Sequence, residues 1–226
     1  MFSADLLSTH ASGERATLPE RALLLAALAC GQEIDDTEPM GLTLVRILPL
    51  HRELAGPDIA GTVTCPECSA TAEFALPIDV LVALAPQSDA SSAHHTGAAW
   101  RPVGYGDLVA AAKAPTADAA VATLLARCVP GTVAEGEERA ALVEAMSAAD
   151  PLAEVHVSLH CPDCDGELTA AVEIADFVWT AVDAEVTRLM IEVDALARIY
   201  AWSEADIVRM SASRRSKYLA LATGGA

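Results

Sequence analysis

The sequence predicts an α+β fold that is mainly α-helical. Two regions in which apolar and polar residues alternate each surround a Cys-Pro-acid-Cys motif, several Ala-rich stretches have helical spacing, and a long heptad pattern lies near the C-terminus. Alternation with period two is typical of half-buried strands, and apolar spacing of three and four residues is typical of helices. We therefore expect two short hairpins, an inserted helical block, and a long C-terminal helix followed by short helices.

The N-terminal segment, residues 1–85, is predicted to begin with helical structure and to end in the first hairpin. A helix over residues 18–29 is favoured because Pro19 suits a first helical turn and Gly31 suits a helix stop. Residues 42–50 are mostly apolar without a clear period, so their secondary structure stays ambiguous.

One three-part pattern occurs twice: an alternating segment, a Cys-Pro-acid-Cys motif, and a second alternating segment. The alternating segments are residues 61–64 and 71–76 in the first copy, and 155–160 and 168–174 in the second. Each copy continues into an acidic residue that opens an apolar helical turn. We predict a single unit, strand–knuckle–strand–helix, that is used twice and carries its cysteines at a hairpin tip.

Residues 86–150 separate the two copies and are predicted to form a linker and a helical block. Residues 86–102 are rich in Ser, Pro and His, a composition typical of linkers. Proline and glycine residues divide the part that follows into three Ala-rich segments. Each is predicted to be helical: 107–113, 116–128 and 135–149.

The C-terminal segment, residues 151–226, holds the second hairpin and the strongest periodic pattern in the chain. Its apolar residues follow one another at alternating spacings of three and four, the a/d pattern of a heptad seam. The seam consists of Trp179, Val182, Val186, Leu189, Val193, Leu196 and Tyr200. Two interpretations stay open: the seam packs on the protein's own core, or it contacts a partner or a second copy. Ser203, and then Ser211 or Ser213, suit the N-caps of two short helices.

The two cysteine pairs are predicted to bind one structural zinc ion. A two-residue spacer lets two thiolates approach the same ion, and two such pairs complete a tetrahedral four-cysteine site. The predicted ligands are Cys65, Cys68, Cys161 and Cys164. Closing the long loop between the pairs costs roughly 4–5 kcal/mol by analogy with a disulfide. Structural zinc supplies about 10–16 kcal/mol, which offsets that cost.

The predicted architecture is therefore a discontinuous zinc-ribbon. Two alternatives for the pairs are disulfide bonds and a redox-active Cys-x-x-Cys. Both are less favoured, because the predicted compartment is reducing and the hairpin flanks differ from a thioredoxin-type helix start. The histidines near the knuckles are expected on the surface or beside the ligands rather than on the metal.

Composition and charge exclude several classes of protein. The chain has 226 residues, 14 Lys and Arg against 32 Asp and Glu, a net charge of -18, and 53% hydrophobic residues. A disordered acidic chain would be poor in apolar residues, and a free-standing nucleic-acid binder would be basic. The longest apolar stretch, residues 22–30, is too short to span a membrane. A cytoplasmic protein is therefore expected, with nucleic acid an unlikely partner.

The C-terminal third resembles a known family. It contains, in order, residues 150–154, a strand, the second cysteine motif, residues 174–179 and the long helix, followed by residues 192–197, 200–207 and 213–219. This order resembles the T4-like baseplate protein family, found in contractile phage tails and in gene clusters of extracellular contractile injection systems. The N-terminal half is consistent with the same family.

The resemblance implies a non-enzymatic role in the baseplate or hub of a contractile tail machine, as a structural component or an assembly chaperone. The implied partners are baseplate or hub subunits, and incorporation into the finished particle stays open. We expect the contact surface on the heptad helix and the tail, with self-association through that helix as a further option. The candidate residues are Trp179, Val186, Leu189, Val193, Leu196, Tyr200, Trp202, Arg214, Arg215 and Tyr218.

Two other functions compete with this expectation. A zinc-ribbon DNA-binding regulator would contact DNA through Arg209, Arg214, Arg215 and Lys217, although the net charge opposes it. An enzyme is not expected, since the sequence has no nucleophile–base pair, phosphate loop or metalloprotease motif. Two features depart from the family pattern: Ala201 stands where a Gly would suit a tight turn, and no acidic residue follows soon after Trp179.

Overall fold

Helices dominate the computed structural model, which describes residues 3–85, 93–95, 98–131 and 136–222. The strands in these residues form three separate two-stranded antiparallel sheets. The predicted α+β, mainly helical class is therefore confirmed. The helices are α1 (Ser3–Gly13), α2 (Leu18–Cys30), α3 (Met40–Ala55), α4 (Ile78–Ala83), α5 (Tyr105–Ala111), α6 (Ala117–Cys128), α7 (Glu137–Ala149), α8 (Ile174–Tyr200), α9 (Glu204–Val208) and α10 (Ala212–Ala222). The strands are β1 (Asp58–Thr64), β2 (Thr71–Pro77), β3 (Ala93–His95), β4 (Ala98–Trp100), β5 (His156–His160) and β6 (Glu167–Ala171).

The N-terminal segment holds more helix than the sequence predicts. Helix α2 matches the prediction: the Thr17 amide donates to the Glu20 carboxylate at 2.8 Å at its start, and Gly31 ends it with φ +67°. The ambiguous residues 42–50 lie inside α3. Helix α1 was not predicted, because Leu6 and Gly13 are its only buried residues and its apolar period is weak.

Helix α8 is the central element of the fold and packs against α1, α2 and α3. Its heptad seam faces the protein's own core, where every seam residue except the half-buried Tyr200 is buried. The intramolecular interpretation of the seam is the one seen here. Five of the candidate contact residues on this helix are therefore covered by the chain itself: Trp179, Val186, Leu189, Val193 and Leu196.

The inserted block has a small core of its own, which packs Trp100 against residues of α6 and α7. The three predicted helices are present as α5, α6 and α7. Of the predicted linker 86–102, residues 86–92 and 96–97 lie outside the described residues, whereas β3 and β4 pair as a short hairpin. Position 135, the predicted start of the third helix, also lies outside the described residues.

A fully buried carboxylate joins the first and second helices of this block. Asp107 accepts hydrogen bonds from Arg101 at 2.6 and 2.9 Å, from the Arg127 Nε at 2.6 Å, and from the Gly104 amide at 2.9 Å. Burial alone would raise its pKa, but the two guanidinium groups and the Gly104 amide outweigh that effect and lower the pKa to about 2. The ionised carboxylate therefore links the segment after β4 to α5 and α6.

A second buried carboxylate connects the end of the block to the main core. Asp150 follows α7 and accepts a hydrogen bond from the Gly41 amide at 2.9 Å, in the first turn of α3. Burial raises the pKa of this carboxyl above its usual value. The block therefore returns to the core at the start of α3, and the second hairpin begins from that point.

Ala201 ends α8 in a left-handed conformation, with φ 53° and ψ 30°. Such a backbone costs a non-glycine residue about 1 kcal/mol, because Cβ crowds the carbonyl oxygen. We expect Ala201→Gly to raise the free energy of unfolding by up to about 1 kcal/mol. Ala184→Gly, an exposed change within the same helix, should lower it by about 1 kcal/mol. Urea denaturation of both variants tests the prediction, and equal losses would contradict it.

Candidate metal centre

The two hairpins have the same construction. Thr64 pairs with Thr71 across the first, and His160 pairs with Glu167 across the second, so each pair closes a loop of the same length around its cysteines. The offset between the copies is identical at the strands, at the cysteines, and at Ile78 and Ile174, which open the helices that follow. The predicted repeated unit of strand, knuckle, strand and helix is thereby present in the fold.

Backbone hydrogen bonds fold each loop into the same knuckle. The Cys65 amide donates to the Ala70 carbonyl at 2.8 Å, and the Ser69 amide donates to the Cys65 carbonyl at 2.9 Å. The second loop repeats both bonds at 2.9 and 3.0 Å, from the Cys161 amide to Gly166 and from the Asp165 amide to Cys161. The two loops therefore present their cysteines in equivalent positions.

A left-handed residue follows the second cysteine of each knuckle. Ser69 has φ 62° and Asp165 has φ 59°, a conformation that is uncommon outside glycine. It turns the next amide toward the cysteine sulfur, so that Ala70 donates to Cys68, and Gly166 donates likewise in the second knuckle. Neither of these two residues is among the candidates that the sequence indicates. Their identical place after each motif is the feature that could have revealed them.

The four cysteine sulfurs converge between the hairpin tips. The Sγ atoms of Cys65 and Cys164 are 3.7 Å apart, those of Cys68 and Cys161 are 3.4 Å apart, and all four lie within 4.8 Å of one another. Sulfurs bound to one tetrahedral ion at about 2.3 Å would be about 3.8 Å apart. The observed spacing fits a single metal ion and is far longer than a disulfide bond of about 2.05 Å. All four predicted ligands are brought together, as free thiols.

The electrostatics of the cluster favour a cation. Amide donors from Cys164 and Asp163 lower the pKa of the Cys161 thiol to about 7. The Cys68 thiol receives the Ala70 amide, yet the neighbouring sulfurs raise its pKa to about 12 overall. Four sulfurs this close cannot all ionise at neutral pH without a positive charge between them. The donor set therefore fits a thiophilic metal ion.

The cluster is only partly buried, because Cys68 and Cys164 are exposed. Cys65 and Cys161 are buried with Ala72 and Leu168, which occupy equivalent positions in the two hairpins. His160 on β5 instead places its Nδ1 at 3.4 Å from the Asp165 carbonyl oxygen and is not among the clustered ligands. Four thiolates complete a tetrahedral shell, so the arrangement has no position for a reacting water.

The predicted contact residues fall into a buried set and an accessible set. Trp179 is buried, stacked on His10 at 5.3 Å between ring centroids and covered by the Arg21 guanidinium at 4.7 Å. Beyond α8, Tyr200, Trp202 and Tyr218 form a half-buried aromatic group, with Tyr200 and Trp202 stacked at 4.5 Å.

Arg215 is the clearest departure from the predicted basic contact surface. It is 1% exposed, and its Nε donates to the Glu192 carboxylate at 2.7 Å. Its Nη1 donates to the Met210 carbonyl at 2.7 Å and to the Ser3 hydroxyl at 3.2 Å. Arg215 therefore links α10 to α8 and to the N-terminus, and it cannot reach DNA or a partner. Arg214, next to it, is exposed and lies 5.7 Å from the centre of the Tyr218 ring.

No helix in the described part of the chain is long and apolar enough to cross a membrane. Comparison of the chain with protein-family models, with curated proteins and with solved structures gave no match. The four-cysteine cluster and the accessible residues at the end of α8 are therefore the features from which a function is argued.

Proposed function

We propose that this protein is a non-enzymatic structural component or assembly factor of the baseplate or hub of a contractile tail, built around a structural four-cysteine zinc site. The convergence of four cysteine sulfurs within 4.8 Å is the observation that carries the structural part of the proposal. The baseplate part rests on the order of motifs in the C-terminal third of the sequence.

The zinc-ribbon interpretation is supported by the equivalence of the two hairpins. Zinc is the metal that four thiolates with tetrahedral spacing most often bind in proteins, and such sites are structural. Cys65, Cys68, Cys161 and Cys164 would hold the ion and fix the two hairpins against each other. The ion would thereby join the two chain segments that precede and follow the inserted block.

A role in assembly is supported by the uneven distribution of charge. The chain carries a net charge of -18, yet the end of α8 and the helices after it expose Arg198, Arg209, Arg214 and Lys217. The aromatic group of Tyr200, Trp202 and Tyr218 lies among them. Trp, Tyr and Arg are the residues that most often dominate the energetics of protein interfaces. We refer to this surface as the aromatic tip.

The aromatic tip gives the proposed function a direct test. We expect Arg214→Glu to reduce the amount of baseplate or hub subunits that co-purify with the protein by at least about tenfold, the effect of losing one interfacial hot spot. The control is Arg139→Glu, an equal change in charge at an exposed position on α7. The measurement is a pull-down from cells that express the whole gene cluster.

Two outcomes would contradict the proposed function. One is equal recovery of subunits by both variants together with normal assembly of particles after deletion of the gene. The other is a protein purified without metal whose cysteines stay reactive. Zinc content measured on the same pull-down sample separates a failed metal site from a failed partner assignment.

A further inference from the structure

A groove of about 890 Å³ runs along the surface between α1 and α8. One side of it consists of Leu7, Ala11 and neighbouring residues of α1, and the other side is formed by Val186, Met190 and Ile191 of α8. These residues recur at helical spacing on both helices, so the groove follows the two helix axes. It is separate from the cysteine cluster.

The groove leaves two large apolar side chains exposed to solvent. Met190 is 51% exposed and Ile191 is 65% exposed, and they stand beside each other on α8. Below them, Val186 is 7% exposed and Leu7 packs against both the main core and the core at the end of α8. Packing against the core therefore holds the apolar floor in place, whereas the side chains of Met190 and Ile191 remain exposed to solvent.

The charged residues that line the groove are acidic. These residues are Glu14 directly after α1, Asp194 on α8 and Glu204 on α9. His10 also lines the groove, and its Nε2 is 2.7 Å from the Asp183 carboxylate. The Nε of the exposed Arg198 donates to Asp194 at 2.9 Å, an exposed pair that contributes little and that a partner cation can replace.

We propose that this groove binds an amphipathic helix of another protein, with an apolar stripe flanked by lysine and arginine. A helix laid between α1 and α8 would cover Met190 and Ile191 with its stripe and bring its cations to Glu14, Asp194 and Glu204. Binding of an amphipathic helix in an apolar groove is a common mode of recognition. A second copy of this chain is disfavoured as the occupant, because its own groove face would bring carboxylates against carboxylates.

The proposal does not depend on the zinc site or on the baseplate assignment, and it can be tested with synthetic peptides. The probes are helices of roughly 20 residues, long enough to be stable, with a leucine stripe flanked by lysine. The matched probes carry glutamate in place of each lysine. We expect the lysine peptides to bind the full chain, measured by fluorescence anisotropy, and the glutamate peptides to bind at least tenfold more weakly.

A pair of variants locates the binding. Met190→Lys should weaken the affinity for lysine-flanked peptides at least tenfold, because it places a cation in the groove. Ile199→Lys is the matched control: it introduces the same residue on the same helix, at a position that is also 51% exposed but lies outside the groove. This control should bind as the unchanged protein does. Circular dichroism of both variants verifies that the helices are intact.

Three results would overturn the proposal. The first is the failure of all lysine-flanked peptides to bind at high micromolar concentration. The second is equal weakening by the Met190 and Ile199 variants. The third is a concentration-dependent dimer in light scattering that Met190→Lys abolishes, which would assign the groove to a second copy of the chain.

Discussion

Replacement of Cys161 by serine is expected to release the metal and to lower the free energy of unfolding by at least about 5 kcal/mol. Structural zinc contributes about 10–16 kcal/mol to the folding of small zinc domains, and a serine oxygen is a poor substitute for a thiolate. Cys161 is also the thiol whose pKa the backbone amides of Cys164 and Asp163 lower to about 7, so it is well suited to bind metal as a thiolate. Metal analysis and urea denaturation measure the two effects.

The control for this experiment is Cys30→Ser, which changes a half-buried thiol on α2 that is not part of the four-sulfur cluster. It should keep one metal ion per chain. Cys65→Ser, at the equivalent place in the first knuckle, should behave like Cys161→Ser, because the two hairpins are built alike. Full stability of either knuckle variant without metal would show that the cluster does not hold the fold together.

The second large effect is expected at Asp107. Asp107→Asn removes the buried negative charge between Arg101 and Arg127, and breaking a buried ion pair costs about 3–5 kcal/mol. The loss should be concentrated in the inserted block, since the carboxylate connects the segment after β4 to α5 and α6. Measured against the unchanged protein, hydrogen exchange in the variant should be accelerated more at the α6 amides than at the α8 amides.

Glu144→Gln is the matched control, because it neutralises an exposed carboxylate of the same block. Its effect should stay within about 0.5 kcal/mol. Equal protection of the α6 amides in the Asp107 variant and in the unchanged protein would contradict the assigned role of the buried carboxylate.

The same carboxylate gives a pH dependence of known sign. Its pKa is about 2 in the folded protein and 3.8 without the fold, so the folded state favours the ionised form. The stabilisation is present in full above about pH 4 and is lost as the pH falls through 2. A difference of this size corresponds to about 2 kcal/mol. Asp107→Asn should flatten the stability profile over this interval.

Much of the fold could be predicted from local patterns. The hairpins follow from alternation around Cys65–Cys68 and Cys161–Cys164, because a strand's side chains alternate whatever it packs against. The stop of α2 follows from Gly31, since a left-handed residue ends a helix. The four candidate metal ligands follow from the spacing of the cysteines, because only short spacers let two sulfurs reach one ion.

Other features depend on contacts between distant segments. Helix α1 has a weak pattern of its own and is held by its position beside α2 and α8. A heptad seam has the same sequence whether it meets another chain or its own core, so only the packing of α1, α2 and α3 shows that α8 is covered. Arg215 lies within a basic run, yet it is buried, where it forms an ion pair with Glu192 and donates a hydrogen bond to the Ser3 hydroxyl.

The sequence by itself determined the repeated knuckle unit, its four cysteines, and the long helix, because these depend on neighbours within a few residues. Only the tertiary structure decided which apolar and basic residues remain available to a partner. In the folded chain most of the heptad seam and Arg215 are buried, whereas the aromatic tip and the groove beside α1 are accessible. Burial is a property of the whole packed chain, and the spacing of residues along a helix does not specify what will lie against it.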